Sequence, residues 1–355
     1  QYYDDNTTAT IKEDINWIPS VFIQDEIQLA EKHKLLLGAR YDYNRNHGTI
    51  FTPRLAYKWK INDANILRFN TGTGFRIVNL FTEEHAALTG SRDVIVLEEL
   101  KPERSYNANL NYLKKIYTKN GNFIGLETTA RYTYITNSIT PDYDTNPNQI
   151  IYKNLNGHAI TKGISTNIDL VFNNGLKMIL GATYMDVSKT ENKLTTQQIL
   201  TEKFSGTWAV SYRLKKMFID VDYTGNIYGP MRLPLLGALD PRSANSPTWS
   251  IQNIQFTFNK IKNIEIYIGV KNLLNWTPNK GNPFIIARAN DPFDKNVITS
   301  DGNTANPENY GLNNNFVPKG QTVDTQDNPY ALTFDPGYVY GPNQGIRSFA
   351  GLRYT

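Results

Sequence analysis

Between about Glu13 and the C-terminus, apolar and polar residues alternate in segments of roughly eight to fourteen residues, and such a segment recurs about thirteen times. In Ser105 to Tyr112 the even positions are Tyr106, Ala108, Leu110 and Tyr112, and the odd ones are Ser105, Asn107, Asn109 and Asn111. Trp208, Val210 and Tyr212 alternate in the same way with Thr207, Ser211 and Arg213, and Ile219, Val221 and Tyr223 with Asp220, Asp222 and Thr224. In Ile264 to Val270, Ile264, Ile266, Ile268 and Val270 oppose Glu265, Tyr267 and Gly269. Successive side chains of a strand point to opposite faces, so each segment has one oily side and one wet side. A soluble sandwich shares this period. Here the wet side carries Asn, Asp, Arg and Lys along whole strands, and the segments suit the roughly 9 to 11 residues that cross a bilayer rather than the roughly 5 to 6 of a soluble strand. The pattern predicts an all-β fold, the wall of an antiparallel transmembrane β-barrel. It places Tyr106, Leu110, Tyr132, Val210, Val221, Ile266 and Ile268 against lipid. It places Arg40, Arg54, Arg68, Asn107, Asn109, Asn111, Arg131, Asp169, Asp220, Asp222 and Glu265 in the lumen.

The connections give an orientation. Alternate turns are short, at 31–34, 60–64, 115–122, 173–175, 213–216 and 260–263, and rich in Lys and Arg. The intervening ones are mostly longer, with loops at 76–100, 137–157, 188–201, 228–248 and 276–341 that hold most of the acids. Bacterial barrels have short periplasmic turns and long extracellular loops, which puts the first set in the periplasm. A connection of 60-odd residues such as 276–341 exceeds ordinary loop length and marks a lid over a ligand or a shield against antibodies and phage.

Composition narrows the picture. No run approaches the roughly 18 apolar residues of a membrane helix, so residence in a membrane has to be by strands; the mean hydropathy of −0.47 agrees. Twenty-two Tyr, sixteen Phe and five Trp supply interfacial aromatics, with Trp59 expected at one strand end and Trp249 at the other. The absence of Cys excludes disulfide scaffolds, thiolate metal sites and cysteine nucleophiles. A formal charge of +4, with no basic patch interleaved with aromatics, argues against nucleic acid as a partner. Asp220 and Asp222, two apart on one strand face, have the spacing of carboxylates that share a proton, but a hydrated wall explains them as well, and no catalytic set stands out. The four Met are not clustered, which gives no copper site, and no metal site or cofactor is read from the sequence.

Particular motifs lead to a family. Thr73-Gly74-Phe75-Arg76, then Asn79-Leu80, then Leu100-Lys101-Pro102-Glu103-Arg104-Ser105-Tyr106-Asn107 resemble the paired signature of TonB-dependent outer-membrane receptor barrels. Phe22, Gln24, Asp25 and Glu26 resemble that family's recurring early-strand motif. Gly269-Val270-Lys271-Asn272-Leu273-Leu274-Asn275 is similar to its penultimate strand, and Arg347-Ser348-Phe349-Ala350-Gly351-Leu352-Arg353-Tyr354 to its closing strand. The abundance of Asn, Lys, Ile and Tyr is similar to receptors of the Bacteroidetes.

The resemblance implies a 22-stranded plugged barrel. Against about thirteen strands here, residues 1–355 are expected to be the C-terminal part of such a barrel, with the plug domain and TonB-contacting box not in this chain and Thr355 not the native last residue. The resemblance implies no enzyme. It implies a Gram-negative outer-membrane receptor that binds a siderophore, a vitamin or another metal complex at the surface and imports it when TonB pulls on the plug. Oligosaccharide or peptide importers of the same superfamily, which pair with a surface lipoprotein, remain open, as does a passive porin or structural barrel. Expected partners are TonB, outer-membrane lipid, a metal-chelate or vitamin ligand and a surface lipoprotein. Ligand contacts are expected from Arg76, Glu83, Glu84, His85, Arg92, Tyr143, Phe284, Arg288, Asp291 and Tyr310. Haem-uptake receptors use a histidine in the loop after a comparable Phe-Arg motif, which makes His85 a candidate axial ligand.

Overall fold

The computed structural model of the chain describes residues 2–5, 10–13, 17–78, 93–143, 145–146, 149–235, 242–278, 284–287 and 332–354. A small antiparallel hairpin, β1 (Tyr2–Asp5) with β2 (Thr10–Glu13), comes first. Then follow β3 (Ser20–Ala30), β4 (His33–Asn44), β5 (Gly48–Asn62) and β6 (Asn65–Arg76). Next are the short β7 (Asp93–Val96), the long β8 (Glu103–Tyr117) and β9 (Phe123–Thr136), and the short β10 (Gln149–Tyr152). β11 (Gly157–Val171), β12 (Leu176–Glu191), β13 (Leu194–Gln197), β14 (Phe204–Leu214) and β15 (Ile219–Tyr228) continue the series. The last are β16 (Trp249–Phe258), β17 (Ile264–Lys271), β18 (Ile285–Ala287), β19 (Leu332–Phe334) and β20 (Arg347–Tyr354).

The thirteen wall strands form one antiparallel sheet in chain order, β3-β4-β5-β6-β8-β9-β11-β12-β14-β15-β16-β17-β20, with β13 folded back on β12. β3 and β20 are its two edges, so the sheet is not closed on itself. No helix among the described residues is long and apolar enough to cross a membrane.

Register turns the alternation into two faces, because directly opposed residues of an antiparallel pair point the same way. Leu110 stands opposite Phe69 and Ala130, and Tyr106 opposite Thr73 and Tyr134. Tyr132 opposes Ala108 and Lys162. Val210 opposes Met178 and Tyr223, and Val221 opposes Tyr212 and Phe256. Ile266 meets Phe258 and Leu352, and Ile268 meets Phe256 and Ala350. Following these pairs from strand to strand, all seven share one apolar face. Tyr106, Leu110, Tyr132, Ile266 and Ile268 are exposed on it, which in a soluble monomer would be an unusually large oily patch. The same ladders put Arg40, Arg54, Arg68, Asn107, Asn109, Asn111, Arg131, Asp169, Asp220, Asp222 and Glu265 together on the other face.

The two expected tryptophans separate. Trp59 does lie on the apolar face, exposed near the end of β5. Trp249 does not: opposite Tyr228 it belongs to the polar face, and it is buried under loops with its ring stacked on Trp276 at 4.6 Å. Burial of aromatic surface against another ring outweighs an interfacial position there.

In-order antiparallel strands send alternate connections to opposite ends. The connections that leave the wall at 31, 63, 118, 172, 215 and 259 start at one end of the sheet, and those that leave it at 45, 77, 137, 192, 229 and 272 start at the other. The link 45–47 is an exception to the length rule, being a three-residue turn among the long loops. Asn44 makes it possible: its Oδ1 accepts the N–H groups of Asn46 and His47, each at 2.9 Å, and Gly48 takes φ +73°, the left-handed conformation such hairpins need.

Two local features shape the wall. The β5–β6 ladder stops at Arg54 opposite Gly72, while β4–β5 pairing continues up to Gly48 and β6–β8 pairing up to Arg76. The next residue of β5 is Pro53, which has no N–H to donate, so a notch opens between the two strands towards the long-loop end. At the other side of the sheet, Tyr267 opposes Gly351 and Phe349 opposes Gly269. A Cβ on either glycine would collide with the facing ring.

Candidate ligand mouth and polar wall

The long-loop end is held by two small cores. In the first, β7 and β10 pair in parallel, tying loop 77–102 to loop 137–156. Ile139, Tyr143, Ile150 and Tyr152 are buried there against Val78, Val94, Leu100 and Ile199. Asn154 clamps the join: its Oδ1 accepts the Lys101 N–H at 2.7 Å, and its Nδ2 donates to the carbonyls of Lys101 (3.0 Å) and Asn137 (2.8 Å). Lys153 pairs with Glu191 at 2.9 Å, and this carboxylate raises the lysine above its ordinary range.

The second core gathers Met231, Leu233, Trp249, Phe284, Tyr338 and Tyr340, with Trp276 packed against them. It also contains a buried ion pair, Arg242 Nη2 to Asp335 Oδ2 at 2.9 Å. The guanidinium lies 3.9 Å from the centre of the Tyr338 ring, and the Tyr338 hydroxyl donates to the Ser243 carbonyl at 2.7 Å. Backbone that would otherwise need water is thereby fixed by aromatic packing and one ion pair.

Three of the ten residues expected to contact a ligand fall among the described residues. Arg76 sits on the polar face at the top of β6, half exposed, with its Nε 2.7 Å from Glu103 Oε2. Glu103 uses its other oxygen to accept the Ile139 N–H at 2.7 Å, so it links the wall to the start of loop 137–156. Tyr143 and Phe284 are 6% and 4% exposed, inside the first and second loop cores. They are anchors of the loops rather than surface contacts, since a large aromatic ring in a connection finds more contact area inside than out. Glu83, Glu84, His85, Arg92, Arg288, Asp291 and Tyr310 lie outside the described residues.

Below the mouth, the polar face is a lattice of charge-assisted hydrogen bonds. Arg40 donates to Asp42 Oδ1 (Nε, 2.8 Å) and to Ser20 Oγ (Nη2, 2.9 Å), and Arg54 donates to Gln24. Arg68 reaches Asn111 Oδ1 at 3.0 Å, and Asn111 passes the connection to Glu127 and Thr129, both at 2.9 Å. Arg131 donates to Ser165 at 2.7 Å. Further round the sheet, Arg213 grips Asp220 with two bonds of 2.6 Å, Ser211 donates to Asp222 at 2.5 Å, and Arg353 pairs with Glu265 at 2.9 Å. Asp220 and Asp222 therefore have different partners, an arrangement suited to an ordered wall and not to proton sharing. No group of three or more His, Cys, Asp or Glu among the described residues is placed to hold a metal ion.

A sheet with one apolar and one charged face is in keeping with what the family comparison finds. The chain matches the TonB dependent receptor-like β-barrel family over residues 1–273. It belongs to that family. The family is one of outer-membrane transport receptors, and the chain is accordingly a protein of the Gram-negative outer membrane. An iron-regulated outer membrane virulence protein of Vibrio cholerae is 33% identical over 94 residues, covering 26% of this chain and 14% of that protein.

Solved receptors share the fold at low identity. The ferric enterobactin receptor PfeA of Pseudomonas aeruginosa superposes with a TM-score of 0.58 at 16% identity, covering 95% of this chain and 44% of the receptor. The ferric-catecholate import receptor Fiu of E. coli gives 0.58 at 13% identity, covering 74% and 41%. The siderophore receptor PirA of Pseudomonas aeruginosa gives 0.52 at 18% identity, covering 74% and 44%. The chain thus spans less than half the length of these TonB-dependent receptors, and a smaller share of the curated relative.

Proposed function

We propose that this receptor captures a metal chelate, such as a ferric siderophore or a corrin-like vitamin, at its long-loop end and admits it along the polar face when TonB supplies energy. The loops then face the cell exterior, the apolar face meets lipid, and the polar face lines the lumen. The observation that carries this reading is a row of guanidinium groups, Arg40, Arg54, Arg68, Arg76 and Arg131, on the polar face of the strands β4 to β9, beside a rim built from two packed loop cores. Iron chelates are commonly anionic, and fixed guanidiniums attract them over a distance of about a Debye length. The names of the similar receptors, among them ferric-catecholate and siderophore receptors, point the same way.

The test is growth under iron restriction of a host lacking its own receptors and expressing the full receptor, fed a panel of ferric siderophores and cobalamin. At least one chelate should support growth, and only in a host with functional TonB. Growth that persists without TonB would make the protein a passive pore, and failure of every chelate alongside uptake of oligosaccharides would reassign the ligand.

A further inference from the structure

The stop in the β5–β6 ladder leaves a slot in the wall. From Gly48 to Pro53, β5 is paired with β4 but not with β6, and from Thr73 to Arg76, β6 is paired with β8 but not with β5. The slot runs for roughly 17 Å at the rise of an antiparallel strand, and it opens at the long-loop end. A hollow lies on each side of its lower end. The one on the polar face, about 380 Å³, is lined by Phe22, Gln24, Arg40, Thr52 and Arg54. The one on the apolar face, about 620 Å³, is lined by Leu37, Pro53, Leu55, Thr71 and Tyr106, with Asp25 of the edge strand β3 as its acid. Gln24, Gly38, Ala39, Arg54 and Thr73 line both, so the two hollows meet at the foot of the slot.

Two groups stand at that meeting point. The Arg54 side chain lies across Gly38, where a Cβ would come within 2.8 Å of its Nε, and it donates to Gln24. The Thr73 hydroxyl is buried and meets no hydrogen-bond partner among the described residues. Buried polar side chains are nearly always paired, so an orphan beside two hollows is suited to a polar group that arrives with a ligand. The charges also decide how such a ligand sits. Arg40 and Arg54 are on the polar face, whereas the groove on the other side is mostly apolar. A bilayer lipid keeps its head and its chains on one side of the wall, and here the cations and the groove are on two.

We infer that the metal chelate of the proposed reading is amphiphilic, with an anionic head at Arg54 on the polar face and one acyl tail in the outer groove along Leu37, Ala39 and Pro53. The amide or ester that joins head to tail accepts a hydrogen bond from the Thr73 hydroxyl. The inference rests on that reading, in which the polar face lines the lumen and the apolar face meets lipid. Because the slot is open at the rim, such a molecule can straddle the wall by sliding down it, with no tail threaded between paired strands. The missing β5–β6 hydrogen bonds, a costly defect in a membrane wall, then have a use.

The experiment measures the binding of two synthetic ferric tris-catecholates, one carrying a dodecanoyl amide and one an acetyl amide, to the full receptor in nanodiscs, with empty discs as the blank. The dodecanoyl probe should bind at least tenfold tighter, a factor that burial of about two methylenes already supplies. Ala39→Trp, which fills the groove, should abolish that difference and leave the acetyl probe unchanged. Thr73→Val should weaken both probes about fivefold, since both carry the amide, and Lys119→Ala at the opposite end should change nothing. Heat-modifiable electrophoretic mobility verifies that each variant is folded. Equal binding of the two probes, binding of neither, or a preference that survives Ala39→Trp would overturn the inference. So would native mass spectra of the receptor without probe in which a membrane lipid is retained and is lost in Ala39→Trp. The growth panel above decides the receptor reading without any acyl probe: uptake there together with one of these outcomes removes the tail alone, and growth without TonB removes both.

Discussion

Arg242 and Asp335, 93 residues apart in the chain, meet at 2.9 Å with both side chains essentially excluded from solvent. The pair joins loop 229–248 to loop 272–346 and sits under the Tyr338 ring. Removing one partner strands a buried charge, which costs about 3 to 5 kcal/mol where no water can replace it. Asp335→Ala should therefore release these loops without unfolding the wall. Limited trypsinolysis of the purified receptor should cut within 229–248 at least tenfold faster in the variant, with heat-modifiable mobility unchanged; cleavage at the native rate would show that the pair does not hold the loops.

Opposite faces of one strand should respond oppositely to the same charge. Leu110, between Phe69 and Ala130, lies in the middle of the apolar face, while Asn107 stands opposite Gly72 and Thr133 on the polar face. Leu110→Arg is expected to cost about 2 to 4 kcal/mol near the bilayer midplane, and Asn107→Arg much less. Urea titration of the folded fraction in liposomes measures both. Similar losses at the two sites would reverse or abolish the assignment of faces.

Connection topology predicts surface labelling. An epitope inserted between Asn192 and Lys193, in the turn joining β12 to β13 where both residues take positive φ, should be detected by antibody on intact cells. One inserted between Asn173 and Asn174, in the turn between β11 and β12, should be seen only after permeabilisation. The reverse pattern would place the long loops in the periplasm.

Glu103 joins Arg76 to the Ile139 N–H, and so couples the wall to the first loop core. Glu103→Ala leaves that N–H without its acceptor, at a cost of about 1 to 3 kcal/mol. Hydrogen exchange at 137–156 should accelerate by at least tenfold while β8 and β9 stay protected. Unchanged exchange would mean that the β7–β10 pairing alone secures the loop.

The wall was readable from sequence because a period of two is enforced by the pleat itself: Tyr106, Leu110 and Asn107, Asn109 sort by position alone. The loops were not, because their residues obey no period. Nothing in the spacing of Tyr143, Phe284 or Trp249 signals that each ends inside a core assembled from segments distant in the chain. The three-residue turn after Asn44 was missed for a related reason, since its cause is a side-chain bond to two backbone N–H groups and not a length rule. The stop in the β5–β6 ladder had a visible signal in Pro53, the one residue of that strand unable to donate, although its meaning depends on which neighbour the missing N–H faces.

On the two final strands, aromatic rings are laid across glycines of the facing strand. Tyr267 rests over Gly351 and Phe349 over Gly269, so two bulky side chains lie flat along the wall instead of standing away from it. The two strands are stiffened by aromatic contact across their ladder. If the polar face lines the lumen as proposed, a larger residue at either glycine would lift a ring off the wall and narrow the lumen from a position on the strand backbone.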